Sequence, residues 1–335
     1  MAEDRPVLLL MGPTASGKTA LAMALADRLP VALINMDSAQ VYRGLDIGSA
    51  KPDAAELARY PHALLDVRDP AEPYSAADFV SDADALVSAA WDAGRLPVLV
   101  GGTMLYGRAF LDGLADLPEA SPEVRAAIAA RAKASGWPAL HAELAERDPQ
   151  AAAGIHPNNH QRLQRALEVL AVTGEPLSTL WRTRSGQAAT LRLGAQVFSS
   201  GLLVSDRALL HRQIEARFAN MLRSGLLEEV AALRQRDDLH LNLPAMRAVG
   251  YRQVWQHLDG DFGFDELLEK GCAATRQLAK RQLTWLRGWP QLIELEIDSL
   301  LLAQTSAARE RVLGGLAETL LQHLAKSLDA LHSRF

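Results

Sequence analysis

The stretch Val7–Thr19, VLLLMGPTASGKT, decides how the rest of the chain is read. Val7 to Met11 is an uninterrupted apolar run, the mark of a short strand buried on both faces. Gly12, Pro13, Thr14, Ala15, Ser16, Gly17, Lys18 and Thr19 then fit the pattern G-x-x-x-x-G-K-[ST]. From Thr19 to Leu29 the residues have helical periodicity and are good helix formers. Strand, glycine-rich loop and helix together are the setting in which this pattern cradles phosphates. The glycines let backbone N–H groups turn inward, the helix N-terminus adds partial positive charge, Lys18 adds a full charge, and Thr19 offers a hydroxyl to Mg²⁺. The competing reading is a plain glycine-rich turn.

The segments that follow repeat the alternation. A second apolar run, Val31 to Ile34, ends at Asn35-Met36-Asp37-Ser38. Ser75-Ala-Ala-Asp78 has the form of a capping box and opens a helix reaching about Ala93. A third run, Leu96 to Val100, stops at Gly101-Gly102-Thr103. The fold class predicted is α/β: a P-loop-containing parallel sheet flanked by helices. Residues 119–181 change character. They are rich in Ala, Leu, Arg and Glu, hold no convincing strand, and are punctuated by Pro122, Pro138, Pro149 and Pro157. They predict an all-helical insertion domain. Leu191 to Val204 returns to strand-like alternation, Arg207 to Leu286 is helical, and Ser299 to Phe335 is an Ala/Leu-rich helical tail. The expected domains are therefore 1–116 with 190–298 as the α/β core, 117–189 as the insertion, and 299–335 as a tail without evident chemistry.

Composition sets the outer bounds. The chain has 335 residues, 49% hydrophobic and 22% charged, which excludes a disordered or collagenous chain. No apolar stretch reaches the roughly 18 residues of a membrane span, and MAEDRP carries two acids where a secretion signal needs bases, so a cytoplasmic protein is expected. The single cysteine, Cys272, excludes an internal disulfide or a Cys-rich zinc site and reads as a buried inert thiol. The net charge of −5 argues mildly against a nucleic-acid binder, but a local basic face can override it.

The P-loop predicts a bound diphosphate or triphosphate. A motor ATPase would add an acid at the end of an apolar strand to hold Mg²⁺; here the run LPVLV ends in Gly101-Gly102-Thr103. Group transfer remains, as in a kinase or another transferase. Asp37, just past the second strand, can accept a proton from a nucleophile; its alternative is a loop carboxylate. Thr103 can approach a ligand across two glycines or simply satisfy its loop. The basic face comes late. Arg276, Lys280 and Arg287 fall within about 40° on a helix, with Leu278 and Trp285 nearly opposite and so expected toward the core. Arg247 and Arg252 precede them, and Arg162 and Arg165 lie one turn apart. Such clusters suit a folded polynucleotide, or else are solvated helix faces. The nine histidines show no metal spacing.

Longer motifs carry a resemblance. GPTASGKT, DSAQVYRGLDIGSAKP (Asp37–Pro52), HALLDVRDPAEPYSAADF (His62–Phe79), VLVGGTMLY (Val98–Tyr106), IHPNNHQRLQRALEV (Ile155–Val169), RAVGYRQ (Arg247–Gln253) and TRQLAKRQLTWLRGW (Thr275–Trp289) resemble the bacterial tRNA dimethylallyltransferases, or tRNA isopentenyl transferases, in collinear order from about residue 6 to 290. That family moves a dimethylallyl group from dimethylallyl diphosphate to N6 of the adenosine 3′-adjacent to the anticodon, in tRNAs reading codons that begin with U. The resemblance implies that Gly12–Thr19 hold the donor's diphosphate, helped by Arg217 and by Mg²⁺ at Thr19. It implies Asp37 as the catalytic carboxylate, with Lys18 and Thr103 beside the reacting groups. It maps tRNA contacts to Asp37, Ser38, Ala39, Gln40, Thr103 and Arg125; to Gln161, Arg162, Leu163, Gln164 and Arg165; to Arg247, Gly250, Tyr251 and Arg252; and to Lys280, Arg281, Gln282 and Arg287. The partners implied are the tRNA anticodon stem-loop and dimethylallyl diphosphate, with no membrane and a monomeric enzyme. Asn159-His160 stands where Asp-Pro is usual, and Gly107 where a bulky residue is frequent. Without the resemblance, a P-loop small-molecule kinase would rank first, and a non-catalytic RNA-binding P-loop protein is a third reading.

Overall fold

A computed structural model describes residues 5–115, 117–183 and 186–332, with side chains described to 326 except at 182 and 183. Asp116, where the first expected domain boundary falls, and the last three residues of the expected tail lie outside the described residues. The chain divides into two compact units, Met1–Leu111 with Ala189–Phe335, and Asp112–Ala188.

The first unit runs β1 (Arg5–Met11), α1 (Lys18–Ala26), β2 (Val31–Asn35), α2 (Ala54–Arg59), β3 (His62–Ala63), α3 (Ala76–Asp92), β4 (Leu96–Gly101) and α4 (Met104–Asp112). The second unit holds α5 (Pro122–Ser135), α6 (Trp137–Arg147), α7 (Pro149–Ala153), α8 (His160–Thr173) and α9 (Leu177–Thr183). The first resumes with α10 (Ala189–Arg192), β5 (Ala195–Leu203), α11 (Arg207–Arg223), α12 (Leu226–Arg234), a 3₁₀ turn (Ala245–Arg247), α13 (Tyr251–Leu258), α14 (Phe264–Arg287), β6 (Leu292–Glu296), α15 (Asp298–Leu302) and α16 (Ser306–His332).

The six strands form one all-parallel sheet in the order β3-β2-β4-β1-β5-β6. β1 lies between β4 and β5, with Leu8 opposite both Val98 and Phe198. Its side chains divide between two apolar clusters: Val7, Leu9 and Met11 enter one, Leu8 and Leu10 the other. Burial on both faces is why the strand reads as a solid apolar run. The carboxyl ends of β1, β2 and β4 all reach the same edge, where a parallel sheet presents its ligand.

Two strands escape the sequence reading. β3 has two residues, too few for a pattern. β6, LIELE, pairs in register with β5 (Ser199 opposite Leu292) and closes the sheet edge. The tail is also more than an appendage. Leu313, Ala317, Leu320 and Leu324, spaced by four, three and four residues, bury one stripe of α16 in the cluster that holds Leu21, Ala22 and Leu25 of α1. Cys272 is buried, and burial pushes its thiol pKa up. No helix among the described residues is long and apolar enough to cross a membrane.

The helical unit has its own core, which includes Ile128, Leu140, Leu144, Leu163, Leu167, Leu170 and Leu180. Asn159, at the departure from the usual Asp-Pro, caps α8 by accepting the Arg162 N–H at 3.3 Å, and His160 stacks on Trp137 at 4.6 Å. The substituted pair thus still starts the helix.

Candidate active site

The P-loop joins β1 to α1 and follows a tight path. Ala15 and Gly17 take left-handed backbone conformations, with φ of 64° and 87°. Gly17 sits at the N-cap of α1. A Cβ on Gly12 would fall 2.7 Å from Ser16 Oγ and 3.1 Å from Leu202 Cβ, so a larger residue there would displace the Ser16 side chain. Thr14, Ala15, Gly17, Lys18 and Thr19 line a cavity of about 730 Å³ open to solvent. Gly12, Pro13 and Ser16 are buried and do not line it.

The ends of β2 and β4 supply the next group. A Cβ on Gly101 would lie 2.0 Å from the Met36 carbonyl oxygen, so only glycine admits this approach. Thr103 binds the neighbouring loop: its N–H donates to Met36 O at 3.2 Å, and its Oγ1 accepts the Ser38 N–H at 2.9 Å. Asp37 Oδ1 accepts the Ala39 N–H at 2.9 Å. Asn35 Nδ2 donates to Asp37 O and Leu64 O at 3.3 and 3.0 Å. The carboxylate is therefore oriented by backbone, while Oδ2 makes no hydrogen bond among the described residues. Gly107 is packed against Met36 and Trp289: a Cβ would meet Met36 Sδ at 3.1 Å and the indole at 3.3 Å, so those side chains fill the room a larger residue would take.

Asp37, Ser38, Ala39, Gln40, Thr103, Arg217, Arg247, Arg281 and Gln282 line the same cavity as the P-loop. Its walls carry Lys18, Lys51, Arg217, Arg247, Arg281 and Arg309 against two carboxylates, Asp37 and Glu56. A chain of net negative charge thus concentrates cations at one place. Burial lowers the Lys18 pKa from the ordinary 10.5 to about 8; Asp37 holds part of the charge in place and Arg217 opposes it. Burial likewise lowers the Arg217 pKa, with Asp37 acting in the other direction. Lys51 is neutralised by Asp46 and Asp66, at 2.5 and 2.6 Å. Among the described residues, Lys18, Arg217, Arg247, Arg281 and Arg309 form no ion pair. Uncompensated cations gathered around the P-loop make the cavity chemically suited to an anion.

The other residues expected to contact RNA differ in their exposure and bonding. Gln282 is a brace: its Oε1 accepts the Thr14 N–H at 2.9 Å and its Nε2 donates to Gly102 O at 2.8 Å, fastening the P-loop to the end of β4. Tyr251 is fully buried, its hydroxyl donating to Glu229 Oε1 at 2.5 Å and accepting the Ser49 N–H at 3.2 Å. Gly250 is buried with φ 96° at the N-cap of α13, while Arg252 is exposed. In the helical unit Leu163 is fully buried, Gln161 and Arg162 are exposed, and Gln164 donates to Arg125 O at 3.2 Å.

The expected facing of α14 is corrected. Leu278 and Trp285 do not enter the core; they line the cavity with Thr275 and Arg281, and Trp285 is exposed. Ala279, Leu283 and Leu286 are the core face. Arg276, Lys280 and Arg287 lie on another flank and do not line the cavity. Polar groups inside the core face, such as Gln282, shift its true centre away from the one that the leucines and tryptophans alone suggest. Sequence reasoning also missed Asn35, whose amide signals nothing in a strand end, Glu229, whose carboxylate accepts the N–H groups of Asp46, Ile47 and Gly48, and Arg309.

The family described as IPP transferase matches residues 40–289. A curated relative from Hahella chejuensis, named tRNA dimethylallyltransferase 2, is 53% identical over 310 residues, 90% of this chain and 93% of the relative. Among solved structures, the tRNA isopentenylpyrophosphate transferase of Bacillus halodurans is 34% identical with a TM-score of 0.62, and the tRNA delta(2)-isopentenylpyrophosphate transferase of Staphylococcus epidermidis is 28% identical with a TM-score of 0.65. Each comparison covers 96% of this chain and 100% of that one.

Proposed function

The chain belongs to the IPP transferase family, the tRNA dimethylallyltransferases, and we propose that it joins C1 of dimethylallyl diphosphate to N6 of the adenosine 3′-adjacent to the anticodon, in tRNAs reading codons that begin with U. The products are N6-isopentenyladenosine and diphosphate. The observation that carries this reading is the meeting, in one cavity, of a P-loop with unpaired cations and a backbone-oriented carboxylate.

Each step has a group suited to it. The C1–O bond breaks as the N6–C1 bond forms, and negative charge grows on the leaving diphosphate. The backbone N–H groups of Ala15, Gly17, Lys18 and Thr19, which line the cavity, receive that charge together with the Lys18 ammonium and Arg217. N6 is a poor nucleophile, because its lone pair is delocalised into the ring, so orientation matters. Asp37 Oδ2 accepts the N6 proton, while Thr103 fixes the Asp37–Ser38 turn. The adenine leaves its stack to enter the open cavity, where its own ring displaces water from the allylic centre. Arg247 and Arg281 on the rim suit the RNA backbone, as do exposed Arg252, Lys280 and Arg287 and, in the helical unit, Gln161 and Arg162.

Thr19 lines the cavity beside Lys18, and among the described residues no cluster of three His, Cys, Asp or Glu could hold a metal. The Thr19 hydroxyl, an oxygen donor of the kind a magnesium ion favours, would hold that ion. When bound it would help neutralise the leaving group. We also propose a monomer working in the cytoplasm.

The test is to incubate the protein with labelled dimethylallyl diphosphate and unmodified tRNA, and separately with ATP. Label in N6-isopentenyladenosine is the expected result. ATP turnover with no labelled tRNA would return the P-loop to a kinase. In the same assay Asp37→Asn should lower turnover by roughly 10²- to 10⁴-fold while tRNA affinity holds; parallel loss of both removes Asp37 from the role of base.

A further inference from the structure

We infer that Arg309, on the C-terminal helix, is a second arginine that grips the diphosphate of the prenyl donor, beside Arg217; the inference rests on the donor reading given above. Arg309 lies in the first turn of α16, beyond the last family motif and outside residues 40–289. Its side chain nevertheless lines the P-loop cavity. A Cβ on Gly17 would lie 3.7 Å from Arg309 Nη2 and 3.0 Å from Leu300 Cδ2. The guanidinium therefore stands at the glycine that opens the anion-binding end of α1.

Two further facts separate this from a chance surface arginine. The helix that delivers it is packed into the core along one face. Leu313, Ala317, Leu320 and Leu324 are buried with Leu21 and Leu25 of α1, and the approach is so close that a Cβ on Gly314 would fall 3.0 Å from Arg28 Nη2. The same contact that buries the tail thus fixes Arg309 against the loop. Its charge is also unspent: among the described residues its side chain forms no hydrogen bond and no ion pair, whereas Lys51 on the same cavity wall pairs with two aspartates. A planar fork of N–H donors held near phosphate-binding amides matches two diphosphate oxygens at once, which an ammonium cannot do. Arg309 adds a guanidinium to the wall that already carries Lys18 and Arg217.

The experiment uses the full chain. Wild type is first shown to pass label from dimethylallyl diphosphate to tRNA; failure at that stage overturns the donor reading itself. Arg309→Met is then compared for donor KM, inhibition by inorganic pyrophosphate, and tRNA affinity. The expected result is about a tenfold rise in donor KM and in the pyrophosphate inhibition constant, with tRNA affinity unchanged and the effect shrinking at high salt. Arg309→Lys should recover part of the loss. Unchanged pyrophosphate inhibition overturns the inference and leaves the donor reading standing, and so does an equal loss of tRNA and pyrophosphate affinity. A measurement on unmodified wild type guards against a variant that fails to fold. Pyrophosphate should protect Arg309 from an arginine-directed dicarbonyl reagent, read by peptide mass spectrometry; full reactivity of Arg309 at saturating pyrophosphate overturns the inference.

Discussion

The two units of the chain both gather arginines and use them in opposite ways. In the helical unit, Glu168 has a fully buried side chain and takes a bidentate grip from Arg125 at 2.8 and 3.1 Å, Arg165 at 2.8 Å, and the Ser121 N–H at 2.8 Å. Burial alone would raise its carboxyl; the bonds from Arg125 and Arg165 outweigh that and hold it below the usual range. In the α/β unit the cavity arginines form no ion pair with any described residue. The first arrangement spends its cations on holding α5 to α8. The second keeps them in reserve, a state that is electrostatically unfavourable until an anion arrives. Arg125 and Arg165, expected as RNA contacts, are thus already engaged, and their guanidinium groups meet RNA only as far as Glu168 leaves donors free.

The contrast breaks most readily at Lys18. If its charge is held for a diphosphate, Lys18→Met should lower kcat/KM for the donor by roughly 10³-fold, the scale of removing one transition-state donor. The same change should leave the thermal midpoint level or higher, because it removes a cation whose burial is unfavourable. A fall in both would make Lys18 a structural residue. Glu168→Gln should give the reverse signature: a loss of about 3 kcal/mol in the helical unit, since a buried partner of two cations is lost, with turnover at saturating tRNA little changed. Native-state hydrogen exchange localised to α5 and α8 measures it. Exchange that stays as slow as in wild type would mean the pair is not structural.

How legible this was depends on how local each signal is. The P-loop, the Ser75–Asp78 capping box and the three runs that became β1, β2 and β4 announce themselves within a few residues. Asp37 and Thr103 were findable because they follow strands whose ends must share one edge of a parallel sheet. Nothing local distinguishes β6, which is a strand because β5 offers it an edge. Arg309 carries no motif, since its position is set by α16 packing on α1 far away in sequence. α14 misled for a different reason. Polarity was taken to mark its exposed face, yet Gln282 is buried as a brace and Trp285 faces the cavity.

That same helix supplies a finer version of the comparison, because its cations divide. Arg281 lines the cavity; Arg276, Lys280 and Arg287 do not. Arg276, Lys280 and Arg287 changed together should flatten the slope of log tRNA affinity against log salt by about 2, with donor KM unchanged. Arg281→Ala should flatten it by about 1 and also reduce turnover. A triple variant with an unchanged slope would take that flank off the RNA.

The smallest effect is a proton, and it reports directly on a cation kept waiting. In the ligand-free protein the Lys18 pKa is lowered to about 8. Near pH 9 the amine is mostly neutral, and a diphosphate beside it restores the ammonium. Donor or pyrophosphate binding at pH 9 should therefore take up close to ~1 proton, against ~0.1 at pH 7. Calorimetry in two buffers of different ionisation enthalpy reads the difference. Between about 8 and the ordinary value of 10.5 the unfolded chain binds the proton that the folded chain has lost, so this group's contribution to stability rises with pH across that window and is flat below it. Ligand affinity should move the other way, falling with each pH unit above 8, and Lys18→Met should abolish both trends. Proton uptake that persists in that variant would assign the titration to another group in the cavity.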